Sequence, residues 1–174
     1  MNRFALFTDI SFNPKMNIGF GAYLFIAQAD IETVSYDSIQ KNIITNIFHS
    51  NSSTKLELEN LLWALDEVEN ANKTDELKSN LIIYTDSQCI AGLMGRRFQL
   101  EGSDFTSKAK NRELNNTGLY QRLYRHHDKL EFEIIKLKGH LKSSEKDRLH
   151  ILFSLVDKKS RKSLRQWLKT FGKS

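Results

Sequence analysis

Residues 3–9 alternate and are rich in Phe and Leu, which predicts a strand. Gly19-Phe20-Gly21-Ala22-Tyr23-Leu24-Phe25-Ile26 predicts a second, with a turn marked by Asn13-Pro14 between them. A third strand is expected over residues 31–38, on Ile31, Thr33, Val34 and Tyr36, so that the chain opens as an antiparallel meander with short connections. The period then changes. Leu58, Leu61, Leu62, Leu65 and Val68 recur at helical spacing, with Ser53 or Thr54 as N-cap and Glu57 in capping-box position relative to Thr54. Leu81-Ile82-Ile83-Tyr84-Thr85 is apolar throughout, as a strand covered on both faces would be. A short helix is predicted over 87–94 and a polar stretch of mixed charge over 95–115. A helix over about 116–129 follows, then a strand around Phe132, Ile134, Ile135 and Leu137, and a long helix over 147–168. The last six residues are expected to fray.

This order predicts an α/β fold: a five-stranded mixed sheet, three strands antiparallel and the rest parallel, flanked by helices. A length of 174 residues suits a single domain spanning 1–174, and 40% hydrophobic residues supply a core without disulfides. The lone Cys89 can form no internal disulfide, which agrees with a reducing, cytoplasmic setting. Its apolar neighbourhood fits a small packed side chain better than a nucleophile. Asp9 comes too early for a signal peptide, and no apolar run approaches the ~20 residues of a membrane span. A net charge of +5 suits a phosphate-bearing partner without requiring one.

Four carboxylates stand where a carboxylate is costly. Asp9 ends the first strand. Asp86 follows the apolar strand at its carboxyl edge, where ligands bind in open α/β sheets. Glu57 borders the apolar stripe of its helix, one turn before Leu61, whereas Glu59 points about 120° from the stripe's centre. Asp157 falls within the stripe of the last helix, among Leu149, Phe153, Val156, Ser160, Leu164 and Trp167. An ionised carboxylate there costs several kcal/mol unless it is paired or metal-bound. A buried ion pair is the plain alternative for Asp157, as a turn or cap role is for Asp9 and Asp86. Four converging acids make sense as a cradle for hard divalent cations, and two such ions about 4 Å apart can activate water and stabilise a leaving phosphodiester oxygen. No Cys/His cluster suggests zinc, and no Walker-type loop, nucleophile elbow or dinucleotide-binding turn is present.

Phe7-Thr8-Asp9-Ile10-Ser11, Ser53-Thr54-Lys55-Leu56-Glu57-Leu58 and Tyr84-Thr85-Asp86-Ser87-Gln88 resemble three successive motifs of type 1 ribonuclease H. Val156-Asp157-Lys158-Lys159-Ser160-Arg161 resembles the fourth, and Lys138-Gly139-His140 the mobile histidine loop. The resemblance runs from residue 4 to about 168. It implies a metal-dependent endonuclease that cuts the RNA strand of RNA–DNA hybrids and leaves 3′-hydroxyl and 5′-phosphate ends. Asp9, Glu57, Asp86 and Asp157 would ligate two Mg2+ ions, or Mn2+, and His140 would assist proton movement or product release. Asn13, Ser53, Thr54 and Gln88 fall where the family meets the hybrid's minor groove and its 2′-hydroxyls. The stretch 95–115, with Arg96 and Arg97, resembles the basic handle that grips the DNA strand. The enzyme is expected to act as a monomer.

The chain departs from the pattern in places. The glycine-rich turn after the first aspartate is reduced to Phe12-Asn13-Pro14-Lys15, and Glu101, Asp104 and Glu113 dilute the handle's charge. Phe98 or Phe105 would stack on a sugar or base, or pack in the core. The stretch from His140 to Asp157 is longer than in the best-known members, which leaves Asp147 as a rival fourth ligand; the helix face and the trailing Ser160-Arg161 favour Asp157. Proofreading exonucleases of the same general fold begin with Asp-x-Glu, against Asp9-Ile10-Ser11 here. A junction resolvase would be a dimer. A non-catalytic nucleic-acid-binding domain would be expected to lose at least one metal acid, and none is missing.

Overall fold

The computed structural model describes residues 2–139 and 141–172. Its centre is the pair of strands β1 (Phe4–Asn13) and β2 (Ile18–Ala27), antiparallel along their full length from Phe4↔Ala27 to Asn13↔Ile18. Strand β4 (Leu81–Thr85) adds in parallel to the other side of β1, and β7 (Glu133–Lys136) in parallel to β4. With β3 (Ile44–His49) outside β2, the described residues form a five-stranded mixed sheet in the order β3-β2-β1-β4-β7.

Alternation divides the strands between two cores. Leu6, Tyr23, Leu81 and Ile83 face α2 (Ser53–Ala71), α4 (Gln88–Gly102) and α5 (Thr117–Leu130). Ala5, Phe7, Ala22, Leu24, Ile82 and Tyr84 face α1 (Tyr36–Asn42) and α6 (Arg148–Phe171), which contributes Leu152 and Val156. Strand β4 is buried at every position because helices cover both its faces.

The third strand lies at Ile44–His49 and not at 31–38. After a 3-10 turn at Gln28–Asp30, the amides of Thr33 and Val34 bond back to the Asp30 carbonyl, and the Ser35 hydroxyl caps α1 by accepting from the Ser38 amide at 3.2 Å. Ile31 is buried in the turn and Val34 packs against the same core, a spacing that imitates a strand over a short window, while Ile39 is buried from α1. Helix α4 likewise runs eight residues beyond the expected 94. Gly95 does not stop it, because Leu93 and Leu100 are buried and Arg97 pairs with Glu101 one turn on. The remainder of the basic stretch folds into a two-stranded ribbon, β5 (Thr106–Ser107) with β6 (Arg112–Glu113). A single turn, α3 (Thr74–Leu77), precedes β4. No helix among the described residues is long and apolar enough to cross a membrane.

Candidate active site

Strand lengths open the site. The pairing of β1 with β4 ends at Phe7↔Tyr84, whose rings stack 4.9 Å apart, while β1 and β2 run on together. Asp9 and Asp86 each lie two residues past that last pair. A strand repeats its face every second residue and parallel neighbours lie about 4.8 Å apart, so the two acids continue the Phe7–Tyr84 row side by side. Asp9 therefore sits within a long β1 that runs on to Asn13, and not at the strand end that the sequence predicts.

Helix α6 packs on that face of the sheet and brings Asp157. The Asp157 carboxylate lies close enough to Asp9 for its charge to act directly on the Asp9 carboxyl. The seam is fixed by the Ser11 and Ser160 hydroxyls, 3.1 Å apart, and the Ser160 hydroxyl also donates to the Asp157 carbonyl. Arg161 Nε lies 2.8 Å from Asp157 Oδ1. Burial raises the Asp9 carboxyl well above the usual aspartate range, and the neighbouring charges of Asp86 and Asp157 raise it further.

Glu57 enters from α2 and accepts a hydrogen bond from the Ser87 hydroxyl at 2.5 Å. Burial raises its carboxyl, the Ser87 bond offsets part of the rise, and Asp86 adds to it. Glu57 closes no capping box, because the N-cap of α2 is Ser52, whose hydroxyl accepts from the Lys55 amide at 3.2 Å. Thr8, Asp9, Glu57, Asn60, Asp86 and Ser87 line one small pocket. All four predicted acids thus meet at the carboxyl edge of β4. Asp147 goes elsewhere: it caps α6 by accepting from the His150 amide at 2.9 Å, and its side chain also bonds the His150 ring.

Asn60 is a site residue that motif reading overlooked. It is 1% exposed and lies one turn after Glu57. Its Nδ2 donates to the carbonyl of Asp9 itself at 3.0 Å and to that of Ala22 at 3.3 Å. A Cβ on Gly21 would stand 2.0 Å from Asn60 Oδ1, so the amide and the glycine require each other. The signal was an amide inside an apolar stripe, where a polar group needs partners.

The predicted substrate contacts divide. Thr54 and Arg96 line a groove of about 370 Å³ with Ser52, Lys110, Arg112 and Asn116. Ser53 and Gln88 are exposed at the amino ends of α2 and α4, near Glu57 and Asp86 in the chain. Asn13 is engaged in the β1–β2 turn, where its Oδ1 accepts from the Met16 amide. Arg97 is held within the chain: it grips Asp128 through two nitrogens at 2.6 and 2.8 Å, bonds Glu101, and lies over the Tyr124 ring. Phe105 is core and Phe98 is exposed. Burial raises the Cys89 thiol, which makes it a poor nucleophile. The predicted role of His140 falls outside the described residues.

Clustered carboxylates are the donor set that hard divalent cations prefer, and Asp9 and Glu57 are raised by burial first and by neighbouring carboxylates second, both of which a bound cation would offset. Among the described residues no three such side chains are yet drawn in to the spacing of a formed metal site. The acids fit such an ion by the chemistry of their oxygen donors.

A mixed sheet whose carboxyl edge gathers acids between helices on both faces defines a ribonuclease H-like domain. The RNase H family model matches residues 1–149, and the chain belongs to that family, which makes it a nuclease acting on RNA–DNA hybrids. The match stops before Asp157, so that acid is placed by geometry. No curated protein matches the sequence. Among solved structures, the PFV RNase H domain is similar with a TM-score of 0.61 at 13% identity, over 92% of this chain and 92% of that one. The foamy viral protease-reverse transcriptase in complex with dsDNA gives 0.58 at 12%, over 91% and 93%. LC11-RNase H1 in complex with an RNA/DNA hybrid gives 0.55 at 9%, over 79% and 86%. At such identities these likenesses establish the fold.

Proposed function

We propose that this chain hydrolyses the RNA strand of RNA–DNA hybrids with two divalent cations, Mg2+ or alternatively Mn2+, and leaves 3′-hydroxyl and 5′-phosphate ends. The observation that carries the reading is the meeting of Asp9, Glu57, Asp86 and Asp157 at one sheet edge. These four would hold the ions, which supply an activated water and charge stabilisation for the leaving oxygen. The chain's own groups do the rest. The Ser87 hydroxyl orients Glu57, Asn60 fixes the backbone of Asp9 against α2, and the Ser11–Ser160 contact holds Asp157 in reach. In the net reaction the water oxygen joins the phosphorus, the P–O3′ bond breaks, and the 3′-oxygen leaves with a proton. His140 is the residue proposed to assist that proton's passage or product release.

The groove with Thr54, Arg96, Lys110 and Arg112 suits a phosphate of the uncut strand, because cations and hydroxyls there meet backbone oxygens without reading bases. Ser53 and Gln88, exposed near the acids, suit the minor-groove face and its 2′-hydroxyls. The proposal includes a monomer with one catalytic domain. A reducing, cytoplasmic setting is consistent with the single half-buried Cys89.

The test is a cleavage assay on end-labelled hybrid, double-stranded DNA and single-stranded RNA. Cleavage confined to the RNA of the hybrid, dependent on Mg2+ and stopped by chelation, is the expected result. Equal cutting of single-stranded RNA, or cutting that survives chelation, overturns the reading.

A further inference from the structure

Helix α6 starts well before the acid it carries. Nine residues separate Arg148 from Asp157, about 13 Å of helix at 1.5 Å per residue. His150, Ser154 and Lys158 recur every fourth residue along this stretch, and Arg161 follows one turn later. They form one wall of an open cleft of about 410 Å³, faced by Lys138 and Lys146 from the segment after β7. Asp86 and Asp157 belong to the same lining, so the cleft opens directly onto the acid cluster.

Four cationic side chains, Lys138, Lys146, Lys158 and Arg161, line this space against those two acids. Lys146 Nζ donates to the Ser154 hydroxyl at 2.8 Å, which draws it against the wall, and Arg161 pairs with Asp157. Lys138 and Lys158 are exposed and join no ion pair among the described residues. His150 is held through Nδ1 by Asp147, while its Nε2 is buried without a hydrogen-bond partner among the described residues. A buried polar atom left unmatched is costly and calls for a partner from outside the chain.

From this juxtaposition we infer that the cleft along the first turns of α6 receives the sugar–phosphate backbone of the strand being cut, next to the bond that breaks. The inference rests on the hybrid-cleavage reading, because it takes the scissile phosphate to lie at the acids. A strand held there must continue past Asp86 and Asp157, and the cleft lies immediately beyond them. Lysines without base-edge partners bind phosphate by charge and are indifferent to sequence. Leu141, Lys146 and the first turns of α6 thereby acquire a purpose: they carry the cleft's wall.

The test compares hybrid binding by Asp9→Asn protein with that by the same protein carrying Lys138→Gln and Lys158→Gln. It is done without metal over a range of salt. A control pair, Lys73→Gln with Lys169→Gln, removes the same net charge elsewhere. The cleft pair is expected to weaken binding about tenfold near physiological salt and to lower the slope of log Kd against log salt by about 1.5, from ~0.7–0.9 per phosphate contact. The control pair is expected to leave the slope unchanged. In the otherwise unaltered enzyme the cleft pair should raise KM for the hybrid. Both lysines are exposed, so an unchanged melting temperature verifies the fold. A slope equal to the parent's, or equal losses from both pairs, overturns the cleft. Should hybrids not be cut while the slope still falls on whichever strand the chain binds, the cleft stands and the hybrid reading fails. Should hybrids be cut with no change of slope, the cleft alone fails.

Discussion

Helix α2 presents carboxylates at both its ends and treats them in opposite ways. Near its carboxyl end, Asp66 and Glu69 meet cations from α5. Arg122 Nη2 lies 3.0 Å from Asp66, the His126 ring reaches both acids, and Lys129 bonds Glu69. Burial would raise Glu69, but the hydrogen bonds from Lys129 and His126 outweigh it and hold the carboxyl below the usual range. Near the amino end, Glu57 meets Asp86 and shares a pocket with Asp9, and its carboxyl is raised. Opposite charges drawn together fasten α2 to α5. Like charges drawn together weaken the metal-free fold and persist where a cation's binding rewards them.

The comparison breaks most decisively at Asp9. Asp9→Asn removes an acid on which the proposed ions depend, so cleavage of hybrid should fall by about 10³-fold or more; several kcal/mol of electrostatic stabilisation at 1.36 kcal/mol per decade gives that scale. The same change should stabilise the metal-free protein. A carboxyl raised in the folded state contributes stability below its ordinary value and loses it as pH rises through the folded value. At pH 7 the parent bears that loss and the asparagine does not. In EDTA the melting temperature should rise by roughly 2–4 °C per kcal/mol relieved, and added Mg2+ should raise that of the parent far more than that of the variant. Lower stability with retained cleavage would erase the contrast between the two ends. Asp157→Asn should resemble Asp9→Asn in turnover. Asp147→Asn should change turnover less than about threefold and disturb only a helix cap, whose complete loss would cost ~1 kcal/mol.

A middle-sized effect is expected where the acid end is braced. Asn60→Ala leaves the Asp9 and Ala22 carbonyls without their side-chain donor and should cost ~1–3 kcal/mol. Because one of those carbonyls belongs to Asp9, hybrid turnover should also fall about 10–100-fold, the range seen when groups that orient metal ligands are removed. Mn2+ binding followed by calorimetry should weaken in parallel. Asn60→Asp, which keeps the shape and lacks the donor, should not rescue it. A loss of stability with unchanged Mn2+ affinity would reduce Asn60 to a packing residue.

The sequence revealed the parts of this arrangement that depend on local pattern. The apolar run 81–85, the leucine stripe of α2 and the carboxylate inside the α6 stripe each break or keep a period within one element. Spacing alone put Asp157 on the sheet-facing side of α6, where it lies half-buried beside Asp9 and paired with Arg161. Reading failed where two periods fit one short segment, as at residues 31–38, where a turn placed Ile31 in the core and Val34 against it while Tyr36 opens α1 exposed. It failed again at Gly95, because long-range packing held α4 together past a weak helix former. The cap of α2 is Ser52, where Ser53 or Thr54 is expected from the sequence, because three adjacent hydroxyls are locally equivalent. Asn60 stands out as an amide in an apolar stripe, but its partners, the Asp9 and Ala22 carbonyls, and the joining of Thr54 with Arg96 in one groove lie tens of residues away in the chain and were out of reach.

The smallest effect sharpens the contrast from the other end of α2. Glu69→Gln should leave hybrid turnover unchanged and cost about 1 kcal/mol at pH 7, since its partner Lys129 is half exposed and screened. The sign of its pH dependence is opposite to that of Asp9. A carboxyl lowered in the folded state contributes stability above its ordinary value, about 4.5, and loses it as pH falls through the folded value. The melting-temperature gap between parent and Glu69→Gln should therefore close as the pH falls from about 4.5 through the lower folded value. The gap between parent and Asp9→Asn in EDTA should instead widen toward neutral pH. Glu57 and Glu69 are twelve residues apart, about 18 Å along the helix, so Asp9→Asn and Glu69→Gln should add within ~0.5 kcal/mol. Marked non-additivity would mean that the two ends of α2 respond as one charged unit, and the division of labour along this helix would have to be abandoned.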